Sequence, residues 1–315
     1  MISSSVRLAK DVHRRMGYPL GKVHYGVQSY LQKWGGYGSP LRHVRRISFK
    51  ARHLGNVLER RRVARTLLRD LKPEMAARVL EFREKGFTRL TDLIDPQLLT
   101  ELGQHCDEII RTRSESAVAA ASHPFFFPLT RPEDYTTDNI LLRFALQDAV
   151  LQAVSAHFGS VPFLYPISVQ ESRYVKIERK KQRASQQWHL DYTDVGDDAI
   201  GLWVYLTDVP TVAQGPLTIL PIPASKKVKN SLFHGRIEDE QIEAAGLNDD
   251  VFPILGPKLS VFLVNTYKCY HMGSRCHEGQ RRVVAIFPFM KSADTDEFVK
   301  ITTPVSDHQR LVICR

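Results

Sequence analysis

Four cysteines, Cys106, Cys269, Cys276 and Cys314, are all that 315 residues contain, and no two stand as a Cys-x-x-Cys pair. That excludes a disulfide framework and a thioredoxin-type redox motif, and it suits a reducing compartment. Long apolar runs are missing too, since none approaches the roughly 18 residues of a membrane-spanning helix. The opening stretch from Met1 to Lys10 has serines, Arg7 and Lys10 but not the apolar core of a secretory signal. Internal repeats and low-complexity tracts are absent. The expectation is a cytoplasmic globular chain, 43% hydrophobic and 25% charged, long enough for a large core.

Acids are scarce in one region only. Residues 1 to 72 hold three of them (Asp11, Glu59 and Asp70) against 17 Lys and Arg, whereas the remainder holds 31 against 27. The net charge of +10 is therefore +14 in the first quarter and −4 beyond it. This predicts a basic, partly helical N-terminal segment over 1–75 ahead of a larger domain over 76–315. Anionic lipid accounts for such a charge at least as well as phosphates of nucleic acid. No recognition motif accompanies the charge, so peripheral contact with an anionic membrane is expected and nucleic acid is not.

Helical spacing comes first along the chain. Leu67, Leu68, Leu71, Met75, Val79 and Phe82 form a stripe interrupted at Pro73. Asp95-Pro96 reads as a helix start, followed by Leu98, Leu99, Leu102, Cys106, Ile109 and Ile110. After about residue 160 short strand-like runs dominate: Ser172–Ile177, Ile200–Leu206, Leu259–Asn265 and Val283–Phe287. Helices followed by many strands predict a mainly β fold with flanking helices (α+β).

His189-Leu190-Asp191 stands among these strands, with His271 82 positions later. Side chains two apart on an extended segment point the same way. A second His from a distant strand then closes a three-cornered face on one metal. Two imidazoles and a carboxylate on one face are the ligand set of non-heme Fe(II) oxygenases, which need the opposite positions open. The triplet alone is weak, because 12 His and 19 Asp in 315 residues give roughly 0.7 such pairs by chance. Arg281-Arg282 strengthens it: a guanidinium at the start of the next strand can fork onto a carboxylate of a ligand chelating the metal. Such a site implies a double-stranded β-helix, the jelly-roll of cupins. Lys176, on the strand before the triplet, reads equally as a solvated lysine or as a second cation for that carboxylate, and Gln170 is a weaker candidate. Phe125-Phe126-Phe127-Pro128 reads as core or as the mouth of a substrate channel. Cys269, His271, Cys276 and His277 cluster, but their spacing fits no common zinc pattern, and buried thiols are the default.

Trp188-His189-Leu190-Asp191, Trp203-Val204-Tyr205-Leu206-Thr207-Asp208-Val209 and the run from Gly215-Pro216-Leu217 to Ser225-Lys226-Lys227 together resemble the phytanoyl-CoA dioxygenase family. Glu81 to Leu90 is similar to the segment that opens it, so the resemblance covers about residues 76 to 290. Ile222-Pro223-Ala224-Ser225 departs from the family's Pro-Gly-Ser-His order. The resemblance implies an Fe(II)- and 2-oxoglutarate-dependent dioxygenase, a hydroxylase using O2, on a jelly-roll. It implies His189, Asp191 and His271 as iron ligands, with His277 as the rival for the third place. Arg282, eleven past His271, becomes the 2-oxoglutarate arginine in preference to Arg281, and Trp203 matches a tryptophan near the co-substrate. The family commonly has Ser two past the distal His, whereas here Gly273 holds that place and Ser274 follows. A carboxylate at Asp191 points to hydroxylation, since related halogenases have a small residue there. The implied substrate is a small molecule, lipid or glycolipid, anionic or lipid-linked. The alternative is a non-enzymatic jelly-roll binding an anionic partner through the basic arm.

Overall fold

Pro73 does not bend one long helix; it starts a second. The computed structural model describes residues 47–48, 50–121, 125–176, 184–191, 197–228, 236–293 and 298–314. It places α1 at Leu54–Leu67 and α2 at Pro73–Lys85, with Pro73 in the first turn, where its missing N–H is no loss. Gly86 ends α2 in the left-handed conformation (φ 80°), and its N–H donates to the Phe82 carbonyl at 2.8 Å. α3 (Pro96–Ala120) begins as its sequence predicts, with the Asp95 carboxylate accepting from the Gln97 N–H at 2.9 Å. The further helices are α4 (Ile140–Ala145), α5 (Asp148–Phe158), α6 (Ile222–Ser225), α7 (Asp239–Ala244) and α8 (Asp307–Ile313).

The strands, in chain order, are β1 (Phe87–Arg89), β2 (Phe126–Pro128), β3 (Phe163–Leu164), β4 (Ser168–Arg173), β5 (Trp188–His189), β6 (Ala199–Tyr205), β7 (Thr218–Ile219), β8 (Arg236–Ile237), β9 (Phe252–Pro253), β10 (Val261–Val264), β11 (His271–Met272) and β12 (Arg281–Met290). Seven form one antiparallel sheet in the order β1-β10-β6-β12-β4-β2, with β3 also on β12; five form a second in the order β8-β5-β11-β7-β9. This is the expected jelly-roll with flanking helices.

Alternation along the strands sorts their side chains into separate cores. Val169, Leu202, Val204, Leu263, Val283, Ala285 and Phe287 pack outward against Phe82, Leu102, Phe144 and Leu151 of the helices. Trp203, Tyr205, Phe262, Val264 and Val284 face inward and meet Leu217 and Ile219 of the second sheet. Trp188, Leu220, Ile237 and Tyr270 cover that sheet's outer face, beneath Ile242 of α7.

α2 runs across residue 75, and α1 packs against α5 and α8. Ala64 and Arg60 of α1 are buried. Arg60 donates from Nη1 to the Pro162 carbonyl (2.9 Å) and from Nη2 to the Cys314 carbonyl (3.0 Å), with its guanidinium 3.4 Å over the Phe163 ring. Burial lowers its pKa to about 9.

Candidate metal and co-substrate site

β5 and β11 are neighbours in the smaller sheet, and His189 stands directly opposite His271. Directly opposed residues project from the same face. Both imidazoles therefore face the larger sheet, while Trp188 packs in the outer core. The ring centroids lie 4.1 Å apart. Past β5 the Asp191 N–H donates to the Thr266 carbonyl at 2.8 Å, and the Asp191 Oδ1 lies 3.7 Å from the Nε2 of each histidine. One ligand atom from each of the three residues lies within 4.8 Å of the others.

The other ring nitrogens are already used. His189 Nδ1 meets the Gln187 carbonyl at 2.8 Å, and His271 Nδ1 meets the Cys269 carbonyl at 3.1 Å. A carbonyl only accepts, so Nδ1 carries the proton and the Nε2 lone pairs are left facing the common corner. Burial, and next the neighbouring His271, push the His189 pKa down to about 3. The neutral imidazole is the form that binds metal. His277, the rival, is exposed and lies outside the group.

Arg282 and Arg281 face opposite ways on β12. Arg281 is exposed, its Nη1 3.4 Å from the buried Glu171, which Arg173 also holds at 2.8 Å. Arg282 is 3% exposed. Its Nη1 donates to the Gly215 carbonyl at 2.7 Å, and its Nη2 reaches the hydroxyls of Ser274 (3.4 Å) and Ser172 (3.5 Å). Its Nε is buried without an acceptor. Among the described residues no carboxylate pairs with it. Gly215 has φ 62°, and a Cβ there would come within 2.7 Å of the Cys276 backbone nitrogen, so only glycine allows this carbonyl its place.

Ser274, one position past the place where the family commonly has Ser, lies beside Arg282. Its backbone takes the left-handed conformation (φ 62°). That turn brings its hydroxyl to Arg282, 2.9 Å from the Ser172 hydroxyl and 3.2 Å from that of Ser185. Ser172, Ser185 and Gln186 were not singled out by sequence. The alternation of β4 sets Ser172 on the same face as Gln170, a usable signal; the short turn holding Ser185 and Gln186 gives none.

Trp203 faces inward from β6 and stacks on Phe262 (6.5 Å, interplanar angle 9°). It leans over Gly201, where any Cβ would collide with the indole nitrogen. That nitrogen is buried and has no acceptor. Lys176 lies exposed beyond the end of β4 and is not among the residues brought together. Gln170 is half-buried, and Phe126, opposite Ser172, is half-buried, whereas Phe125 and Phe127 are core. Cys269 and Cys276 are buried thiols, the former pushed up to about 12 by burial. The only group of three or more potential ligands among the described residues is the His189, Asp191, His271 set.

A model of the family described as phytanoyl-CoA dioxygenase matches residues 82–250, more than half of the chain. The match includes His189 and Asp191 and ends before His271 and Arg282. No curated protein matches the chain. Solved structures similar to it include the non-heme α-ketoglutarate-dependent epimerase SnoN from nogalamycin biosynthesis, at 14% identity and TM-score 0.46, covering 69% of this chain and 80% of that one. EctD from S. alaskensis in its apo form aligns at 15% identity and TM-score 0.46, over 68% of this chain and 76% of its own. HygX from Streptomyces hygroscopicus, with nickel, 2-oxoglutarate and hygromycin B bound, aligns at 15% and 0.45, over 70% and 87%. All three likenesses are distant.

Proposed function

The chain belongs to the phytanoyl-CoA dioxygenase family, and from that premise we propose that His189, Asp191 and His271 hold its iron and that Arg282 anchors its 2-oxoglutarate. It is an Fe(II)- and 2-oxoglutarate-dependent oxygenase, with O2 as the remaining co-substrate. The donor set fits the metal: two imidazoles, each with its Nδ1 turned to a backbone carbonyl, and one carboxylate, converging from one face.

The observation that carries the rest is Arg282. A buried guanidinium with one N–H unmet and, among the described residues, no acid beside it calls for an anion that would offset its desolvation. The far carboxylate of 2-oxoglutarate supplies that anion, and the Ser172 and Ser274 hydroxyls flank it as further donors. Phe262, Val264 and Ile219, all buried, keep the space between the sheets dry. The Trp203 indole N–H, buried over Gly201 without an acceptor, is a further candidate donor. Fe(II) and 2-oxoglutarate supply the oxidising chemistry, with succinate as co-product, so the protein's own task is to bind, orient and exclude water. No catalytic base is required of it.

The finer reading is hydroxylation of an unactivated C–H bond in a small molecule, lipid or glycolipid. Asp191 supports it, since it would offer the metal a carboxylate where related halogenases have a small residue. The outer face of α1 supports an anionic or membrane-borne substrate. Leu54 (56% exposed) and Leu58 (53%) lie beside exposed Arg61, Arg62 and Arg65, and this mix of apolar and cationic groups suits an anionic bilayer surface. No helix among the described residues is long and apolar enough to cross a membrane.

Anaerobic addition of Fe(II) and 2-oxoglutarate to the full-length protein tests the site without a known substrate. The expected result is a weak visible charge-transfer band that His271→Ala removes and His277→Ala keeps. A wild-type protein that gives no band, or a His271→Ala variant that keeps it, overturns the assignment.

A further inference from the structure

Asp239 touches neither the three proposed ligands nor Arg282, yet it joins the two strands that carry His189 and His271. It lies at the start of α7, on the outer face of the smaller sheet. Its Oδ1 accepts from the Trp188 indole N–H at 2.7 Å. Its two oxygens also take the Arg275 guanidinium in a fork, at 2.9 and 3.0 Å. Trp188 immediately precedes His189, and Arg275 immediately follows Ser274. From the other side of its guanidinium, Arg275 Nε donates to the Gln186 carbonyl at 2.7 Å. Gln186 Nε2 in turn donates to the Ser274 carbonyl at 3.2 Å, and the Gly273 N–H donates to the Ser185 carbonyl at 2.7 Å.

The need for such bonds follows from the strands. β5 and β11 are two residues long and share one paired position, His271 opposite His189. One pairing fixes neither the twist nor the slip of two short strands. An ion pair forked on one strand's loop and hydrogen-bonded to the neighbour's side chain fixes both, because it is directional and mostly shielded, the side chains of Asp239 and Arg275 being 12% and 22% exposed. The same connection ends on Ser274, whose hydroxyl meets Arg282.

We propose that Asp239, acting through Trp188 and Arg275, is a positioning residue that sets the spacing of the two histidines and the seat of Arg282. The inference rests on the ligand set assigned above. Partners hydrogen-bonded directly to metal ligands typically change metal affinity about 10- to 100-fold, so a residue one contact further back is expected at the lower end.

The test is titration of the full-length protein, freed of metal, with Co(II), read by visible absorption, beside the dependence of succinate formation on 2-oxoglutarate. Asp239→Ala is expected to weaken Co(II) binding about 10-fold and to alter the Co(II) spectrum. Arg275→Lys keeps the charge but cannot fork, and should shift both readings in the same direction by less, with KM for 2-oxoglutarate raised more than kcat is lowered. It also serves if Asp239→Ala fails to fold. Arg113→Ala is the control: it breaks a similar forked pair with Asp134 (2.5 and 2.9 Å) on α3, away from the small sheet. It should lower thermal stability and leave Co(II) affinity and spectrum unchanged. Wild-type Co(II) affinity and spectrum in the folded Asp239→Ala or Arg275→Lys protein overturn the proposal, as does an equal loss in Arg113→Ala. If the wild type takes up no Co(II), the ligand set itself falls, and the brace with it.

Discussion

β12 runs ten residues and β6 seven in the larger sheet, whereas every strand of the smaller sheet is two residues long. β6 is buried along its whole length, with one set of side chains under the helices and the other between the sheets. The larger sheet is thus held by area removed from water and by long ladders. The smaller is held by particular side chains: Ser225 accepts from the Tyr270 N–H at 2.9 Å and donates to the Leu220 carbonyl at 2.7 Å, and Asp239 spans Trp188 and Arg275. Two of the proposed ligands stand on the sheet with little regular structure, whereas Arg282, Ser172 and Trp203 come from the longer strands. The lesson is that the larger sheet supplies stability and the proposed anion anchor, while the smaller carries two of the proposed metal ligands on strands held by particular side chains.

Substitutions at the two sheets should therefore fail in different ways. His189→Ala and His271→Ala should each abolish metal-dependent succinate formation while the melting temperature stays near wild type. Phe287→Ala, in the outward core of β12, should cost about 3–5 kcal/mol of stability and leave metal affinity intact in the folded fraction. Metal content and thermal melts, measured together, check both. Loss of metal from folded Phe287→Ala would show that the sheets do not separate in this way.

Within β12 the same contrast recurs between adjacent residues. Arg282→Ala should raise the 2-oxoglutarate requirement roughly 30- to 150-fold, since a charge-assisted fork in a buried site contributes about 2–3 kcal/mol. Arg281→Ala should change it less than about threefold, because its partner Glu171 faces the other way and keeps Arg173. Titrations with 2-oxoglutarate at saturating iron decide. Equal tolerance of both changes would remove Arg282 from the site.

This division also explains what was legible in the sequence. Long amphipathic patterns survive tertiary packing, so α2, α3, β6, β10 and β12 lie close to where periodicity put them. The run expected from Ser172 to Ile177 lies earlier as β4, Ser168–Arg173, because its pairing with β12 and β2 sets its ends. His189, Asp191 and His271 were visible because a period of two and a recurring family pattern coincide there. The hydroxyls around Arg282 were not. Ser274 reaches it only through a left-handed backbone, and Ser172 and Ser185 arrive from other strands and turns. Lys176 had the right neighbourhood in sequence, but it lies exposed past the end of its strand. Asp239 carried no signal, since a helix-start acid is common and its partners are 36 and 51 residues away.

The smallest effects belong to the N-terminal helix, where buried and exposed arginines of α1 can be set against each other. Arg60 donates to three carbonyl groups distant in sequence, those of Val161, Pro162 and Cys314. Arg60→Ala should lower stability by about 1.5–3 kcal/mol, because those acceptors lose a charged donor in a buried place. Arg61, its neighbour, points to solvent beside Leu54 and Leu58. Arg61→Gln should leave the melting temperature unchanged and weaken binding to anionic vesicles about fivefold at low salt, the equivalent of about 1 kcal/mol for one charge near a bilayer. Exposed charges are screened beyond about 8 Å at physiological ionic strength, so the difference should shrink as salt rises. Arg60→Ala, measured below its melting point, should bind vesicles less well only as α1 loosens. Co-sedimentation on anionic and neutral vesicles at two salt concentrations separates the roles. Equal binding to both kinds of vesicle by wild type and Arg61→Gln would leave α1 as a cap held by Arg60, with its outer arginines merely solvated.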